Sequence, residues 1–324
     1  MREITIQDAL NEALRMEMRR DERVFCMGED IAIYGGAYGV TKGLVEEFGE
    51  ERVRDTAISE AAIVGAGIGA AMTGMRPVVE LMYVDFTGIA MDQIYNQAGK
   101  IRYMFGGKVT VPLVIRTQGG TGKQLGAQHS NSLEAWFLHC PGIKVVMPST
   151  PYDAKGLLIS AIRDDNPVMF IEHKSTYFEK GPCPEEEFTV PMGVAALRRE
   201  GKDCTIVSYS RMALRSLEAA EKLAGEGISC EVIDLRTISP WDRDAVAASL
   251  AKTYHLVVVE EGTRTGGVGA EIAATMNEIA FDDLDAPIER VAGQDVPIPA
   301  SPTLEAASIP QVQDIVAAVK RALR

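Results

Sequence analysis

Residues 55–86 read DTAISEAAIVGAGIGAAMTGMRPVVELMYVDF, and this stretch decides the fold. Ser59 stands where an N-cap belongs, and Glu60–Met72 follows as a helix of small and apolar residues. Val78–Met82 is then a short β-branched run of the kind found in strands buried on both faces of a parallel sheet. A helix feeding such a strand is the repeating step of an α/β fold.

The same rhythm runs outward in both directions. Val24–Met27, Val111–Ile115, Val145–Met147 and Val168–Ile171 read as further strands. Ile6–Arg19, Lys42–Phe48 behind a Thr41 cap, Asp92–Met104 and Tyr152–Arg163 read as helices. The pattern restarts with strands at Thr205–Ser208, Cys230–Asp234, Leu256–Glu260 and Ile288–Val291. Helices are expected at Arg211–Ala224, Asp242–Leu250, Gly269–Ile279 and Gln311–Leu323. Between the halves, Phe178–Pro191 carries three prolines and the acidic run Glu185–Glu187, and reads as a linker or an exposed hairpin. The expectation is an α/β protein of two domains, 1–190 and 191–324, with mostly parallel sheets.

Composition narrows the function. Of 324 residues 46% are hydrophobic and 24% charged, the balance of a globular chain. The longest uncharged stretch, Ala61–Met75, falls short of the roughly 20 apolar residues that span a bilayer, so no membrane partner is expected. Charges at Arg2 and Glu3 stand where a signal peptide needs an apolar core, which points to a cytoplasmic protein. Five scattered cysteines form no C-x-x-C pair and read as reduced thiols. A net charge of −13 argues against nucleic acid, whose phosphates call for clustered Lys and Arg.

Two motifs mislead. Gly65–Ala70 fits the dinucleotide pattern G-x-G-x-x-A, but the residues before it already read as a helix, so close packing explains the glycines better. Gly119–Gln124 lacks both the earlier glycine and the Ser or Thr that a P-loop requires. Glu60 is open to two readings: a carboxylate favoured by the helix dipole, or a desolvated group that holds and shares a proton. His129, in the polar segment Gly126–Ser132 after a glycine-rich run, is likewise either structural or catalytic.

Longer motifs bring a family into view. Asp55–Ala66, Gly28-Glu29-Asp30, Asp92-Gln93-Ile94, Gln128-His129-Ser130, Pro151–Leu158 and Asp234–Asp242 occur in the order seen in one family. From Ile6 to the helix after Pro310, the chain resembles the β subunit of the E1 component of 2-oxo acid dehydrogenase complexes, including the similar acetoin dehydrogenases. The resemblance implies a transketolase-like fold and thiamine diphosphate chemistry. In that family a glutamate at the position of Glu60 hydrogen-bonds N1′ of the aminopyrimidine, so that the 4′-nitrogen can take the C2 proton of the thiazolium.

By the same carry-over, Glu29, Ile58, Ser59, Met82 and Phe86 join Glu60 around the aminopyrimidine. Tyr83, Val84, Asp85 and Phe86 lie by the substrate with His129, which serves as acid/base or stabilises the intermediate and receives the lipoyl arm. Leu113, Ala161, Ile162, Asp164 and Asn166 resemble the oxygen donors of a potassium loop. No Gly-Asp-Gly segment occurs, so the Mg²⁺ that binds the diphosphate falls to an α subunit, in an α₂β₂ heterotetramer. An E2 acyltransferase with lipoyl and subunit-binding domains is the implied acceptor. Residues 201–324 hold 19 acidic and 12 basic residues, with Glu260-Glu261 and Asp282–Asp285 as candidates for an acidic docking face.

Asn131 after Ser130, where the family commonly has Gln, and Met82, where some branched-chain relatives carry a polar residue, bear on the substrate: pyruvate, a branched-chain 2-oxo acid or acetoin. Bulky Tyr83 and Phe86 favour small groups. Two rival readings remain at this point, an idle structural subunit and an NAD enzyme using Gly65–Ala70.

Overall fold

A computed structural model describes all 324 residues, Met1–Arg324. By contact the chain divides into two units: Met1–Gly119 with Trp136–Met192, and Gly120–Ala135 with Gly193–Arg324. Sequence pattern alone places 120–135 with the first half. In the structure this segment bonds to Glu261, Glu305 and Tyr209, which draw it into the second unit.

The first unit opens with β1 (Arg2–Thr5), α1 (Ile6–Arg20), β2 (Val24–Gly28), α2 (Leu44–Phe48), β3 (Val53–Asp55), α3 (Glu60–Met72) and β4 (Arg76–Leu81). There follow α4 (Ile101–Met104), β5 (Val114–Gly119), α5 (Glu134–Leu138), β6 (Lys144–Val146), α6 (Pro151–Arg163), β7 (Val168–His173) and β8 (Lys180–Cys183). Six strands lie side by side in the order β6-β7-β5-β4-β2-β3, every neighbour parallel.

Strand alternation assigns the two faces. Val24, Cys26, Val78, Val114, Val168 and Phe170 pack with α1 and α6 in one buried cluster. Helix α1 starts at a reciprocal capping box between Thr5 and Asp8, and it buries Leu10, Leu14 and Met18 there. Each such side chain contributes about 1.5–3 kcal/mol.

The odd-facing residues meet α3. A Cβ built on Gly67 would stand 2.8 Å from Val79 Cγ1 and 3.0 Å from Leu113 Cδ1, so only glycine lets the helix lie this close. The small-residue pattern that imitated a dinucleotide motif is thus a packing surface.

Several local expectations give way to nonlocal contacts. Thr41 does not cap α2; its hydroxyl donates to the Ile31 carbonyl at 2.7 Å, and Gly43 in a left-handed conformation precedes the helix. Ser59 is the N-cap of α3 by position, but its side chain makes no capping bond. Asp92–Met104 is not one α-helix: Asp92–Ala98 is π-helical and α4 follows. Phe178–Pro191 is no linker, because β8 pairs antiparallel with β1 and Val190 is buried.

The second unit contains β9 (Ala196–Arg199), β10 (Cys204–Ser208), α7 (Ser210–Ala224), β11 (Cys230–Asp234), β12 (Thr237–Ser239), α8 (Arg243–Thr253) and β13 (Leu256–Thr263). It closes with α9 (Val268–Ile279), β14 (Glu289–Gly293), α10 (Pro302–Ser308) and α11 (Val312–Ala322). Strands β14-β13-β10-β11 are parallel, with β9 antiparallel at the edge. Met212, Ala219 and Leu223 of α7 and Ile315 and Val319 of α11 cover one face. All five cysteines are free and buried, and no helix is long and apolar enough to cross a membrane.

Replacing Gly67 by Ala should lower stability, although Ala is the better helix former by about 1 kcal/mol. Overpacking against Val79 and Leu113 costs about 1–3 kcal/mol. A denaturant midpoint equal to or above wild type would show that α3 is not packed at this limit.

Candidate active site

From β2 the chain steps to β3 on one side, and α3 then carries it back across to β4 on the other. It continues outward through β5 and β7, so the strand order reverses between β2 and β4. In open parallel sheets, ligands bind beyond the carboxyl ends of strands at such a reversal. Glu29 follows β2, Glu60 opens α3 just after β3, and Met82 to Phe86 follow β4. The topology therefore brings to one sheet edge residues up to 57 positions apart, from Glu29 to Phe86.

The two carboxylates at this edge are both buried, Glu29 at 7% exposure and Glu60 at 4%. Glu60 sits in the first turn of α3, where the helix dipole favours negative charge. Burial, and after it the Glu60 charge, holds the Glu29 carboxyl above its ordinary range. Glu29 Oε1 is buried with no hydrogen-bond partner. An unsatisfied acceptor beside a second carboxylate suits a ligand carrying N–H donors and a protonatable ring nitrogen, and an aminopyrimidine has both. Ile58 and Ser59, in the β3–α3 loop, are exposed, with Ile58 79% accessible. Met82 and Phe86 are half-buried.

The residues after β4 form a tight turn. Phe86 N–H donates to the Tyr83 carbonyl at 2.9 Å and the Thr87 hydroxyl to the Val84 carbonyl at 2.6 Å. Val84 is fully buried, while Tyr83 and Asp85 are half-buried. Behind this turn lies an ion network that no sequence motif announces. Arg116 on β5, 1% exposed, donates to Glu80 on β4 at 2.6 Å and to both oxygens of Glu172 on β7 at 2.6 and 2.7 Å. Gln118 adds a bond to Glu80 at 2.8 Å. The signal in the sequence is a charged residue set among the β-branched and apolar residues of each of these strands: Glu80, Arg116 and Glu172.

His129 belongs to the second unit and is half-buried. Its segment is fastened by carboxylates of that unit. Thr121 N–H donates to Glu261 at 2.7 Å, and Gly122 and Gln124 N–H donate to Glu305 at 3.0 and 3.3 Å. Farther along, Tyr209 donates its hydroxyl to Glu134 at 2.9 Å. Glu260 and Glu261 are 1% and 7% exposed, so the acidic surface expected from this pair does not exist. They are spent on Arg290 and Gly269 N–H, and on Thr121 N–H.

The residues likened to a potassium loop lie in the first unit, and most of their oxygens already have partners. The carbonyls of Ile162 and Asp164 accept from Arg76 at 2.9 and 3.1 Å, that of Leu113 from Val168 N–H, and that of Ala161 from Asp164 N–H. Burial raises the Asp164 carboxyl, but hydrogen bonds from Lys144 and Asn166 outweigh it and hold the group below its usual range. Arg102 donates to the Asn166 side-chain oxygen, so Arg76, Lys144 and Arg102 already occupy this donor set; each carbonyl keeps a second lone pair, which fits at most a weakly bound monovalent ion.

Glu134 gives a pH-dependent reading of the His129 segment. Burial pushes its carboxyl up to about 7, with Glu260 and Glu261 adding to the rise against the Tyr209 bond. A raised carboxyl contributes stability below its unfolded value of about 4.5 and loses it as pH climbs through about 7. Relative to Glu134→Gln, wild type should therefore lose on the order of 3 kcal/mol between these limits. Parallel denaturant titrations that keep a constant gap across this window would remove Glu134 as the titrating group.

Residues 2–180 match the family described as "Transketolase, pyrimidine binding domain", and residues 193–315 match "Transketolase, C-terminal domain". The chain is 50% identical to the mitochondrial pyruvate dehydrogenase E1 component subunit beta-1 of Arabidopsis thaliana, over 99% of this chain and 90% of that protein. It is 49% identical to the acetoin:2,6-dichlorophenolindophenol oxidoreductase subunit beta of Cupriavidus necator, over 100% of this chain and 98% of the relative. A solved split-gene transketolase, described as an inactive beta4 tetramer, shares the fold with a TM-score of 0.82 at 23% identity, covering 99% and 98% of the two chains. The chain belongs to the transketolase family, and within it to the group formed by β subunits of pyruvate dehydrogenase E1 components and of acetoin oxidoreductases.

Proposed function

We propose that this chain is the β subunit of a thiamine diphosphate-dependent E1 enzyme that cleaves pyruvate or acetoin and passes the two-carbon unit to a lipoyl group on E2. The buried Glu29–Glu60 pair at the strand reversal carries this reading. When bound, thiamine diphosphate supplies a nucleophilic carbon at C2 and an electron sink for the cleaved substrate. Glu60 holds a proton against N1′ of the aminopyrimidine, and burial keeps water from competing for it. Glu29 Oε1 accepts from a ligand N–H, while Ile58, Ser59, Met82 and Phe86 flank the ring. Tyr83, Val84, Asp85 and Phe86 border the substrate, and His129 moves a proton at the substrate oxygen or orients the lipoyl arm.

An α subunit completes the site by holding Mg²⁺ and the diphosphate. Exposed Tyr103, Met104 and Phe105 in succession support such a subunit contact. For E2, exposed Asp282 and Asp285 support docking of a basic domain. Leu113, Ala161, Ile162, Asp164 and Asn166 would supply the oxygen donors if a potassium ion bound. The five free, buried thiols support a reducing setting such as the cytoplasm.

Substituting Gln for Glu60 should leave the assembled enzyme folded but abolish H/D exchange at cofactor C2, because an amide cannot exchange a proton with N1′. Exchange at the wild-type rate would make the chain a structural subunit. His129→Ala should lower turnover by about 10²–10⁴-fold with little change in cofactor affinity. An unchanged overall rate would return His129 to a structural role.

A further inference from the structure

Tyr83 is held from two sides by residues that the proposed chemistry does not use. Lys174, immediately after β7, is 0% exposed, and its ammonium lies 4.9 Å from the centroid of the Tyr83 ring. Its backbone N–H is fixed to the Gly119 carbonyl at 3.1 Å. Tyr38 meets the same ring edge-on, with centroids 6.4 Å apart and planes 74° apart. A hydrogen bond joins the two side chains, and burial, with that bond second, raises the Tyr38 phenol above its ordinary range.

The support does not end at Tyr38. Its ring stacks on Tyr177, with centroids 4.7 Å apart and planes 21° apart. Tyr177 is fully buried and donates its hydroxyl to Glu172, the bidentate partner of Arg116. Tyr83 is therefore the outer rung of a ladder of three tyrosines fastened to the ion network of the central strands. A buried ammonium against an aromatic face attracts more strongly than an exposed one, because water no longer screens it. Face contact with Lys174 and edge contact with Tyr38 together leave the ring no free rotation. A mobile ring would yield to a branched substrate; a ring held this way does not.

We propose that Lys174 and Tyr38 are positioning residues that fix Tyr83 as a rigid wall, limiting the substituent on the reacting carbonyl to a methyl group. This rests on the reading above that Tyr83 borders the substrate. A pocket that excludes extra methylenes discriminates by about 10–200-fold.

The test uses the enzyme assembled with its α subunit. It compares kcat/KM for the methyl substrate that wild type turns over, pyruvate or acetoin, with its isopropyl homologue, and follows C2 exchange of the cofactor in parallel. Lys174→Met and Tyr38→Phe should each reduce the methyl preference about tenfold, by raising kcat/KM for the isopropyl substrate, with C2 exchange unchanged. Lys174→Arg keeps the cation over the ring and should retain the preference, and Tyr83→Ala should lose it.

Wild-type preference in both Lys174→Met and Tyr38→Phe, alongside lost preference in Tyr83→Ala, would overturn the positioning role. Retained preference in Tyr83→Ala would overturn the wall itself. Wild type that turns over neither substrate would sink the proposed function and this inference with it. Normal turnover with unaltered preference would sink this inference alone. Tyr38→Phe removes a single oxygen, so it carries the test if Lys174→Met fails to fold.

Discussion

A guanidinium buried among the central strands, between two carboxylates, is the constraint on which the first unit depends. Arg116, Glu80 and Glu172 sit on three adjacent parallel strands, and the register that aligns Glu80 with Arg116 and Gln118 with Glu172 makes the contacts inevitable. Burial opposes the charge on Arg116, but the two carboxylates outweigh it and hold the guanidinium protonated. Breaking such a buried pair costs about 3–5 kcal/mol, because the remaining charge is left uncompensated. The strands cannot slide past one another without incurring that cost. Everything beyond their carboxyl ends is built on this fixed edge: the Glu29–Glu60 pair, the turn after β4 and the tyrosine ladder from Glu172 to Tyr83.

The chain sorts its carboxylates by environment. Glu29 and Glu60 are buried at the strand reversal, and Glu29 keeps an unsatisfied oxygen there, an arrangement unfavourable unless a ligand completes it. Glu80 and Glu172 are saturated by Arg116, Gln118 and Tyr177 and serve the scaffold. Glu261 and Glu305 are also buried, but they accept backbone N–H bonds and fasten the segment that bears His129. Asp282 and Asp285 stay in water. The net charge of −13 thus covers at least four physical situations, and only the exposed part forms a surface field.

The second unit relies on the same economy with different partners. Its parallel strands present Cys204, Ile206, Val232 and Val257 to α7 and α11, an apolar interface without ions. Polar groups are buried on the other side, where Thr205 meets Ser249 and Thr253 of α8 at 2.6 Å. Ser249 also donates its hydroxyl to Glu231 at 2.6 Å, so these buried hydroxyls are satisfied and cost little.

Local pattern was enough to set the class of the protein. β-branched runs alternating with helical periods dictate parallel strands, because each needs a covering helix and a crossover to the next. The small residues from Ala61 to Ala71 dictate a helix pressed against the sheet, and Glu60 at its start was visible as the one charge in an uncharged segment. What only the tertiary structure decided depends on register between distant strands. Arg116 lies 36 residues from Glu80 and 56 from Glu172, and nothing in any one strand announces the others. The acidic pair Glu260-Glu261 reads as surface until β13 turns it inward, and Phe178–Pro191 reads as linker until β8 finds β1. Tyr38, Tyr83 and Lys174 carry no shared motif at all. Their meeting follows from three chain segments ending at one edge of one sheet, a fact of topology that no local propensity encodes.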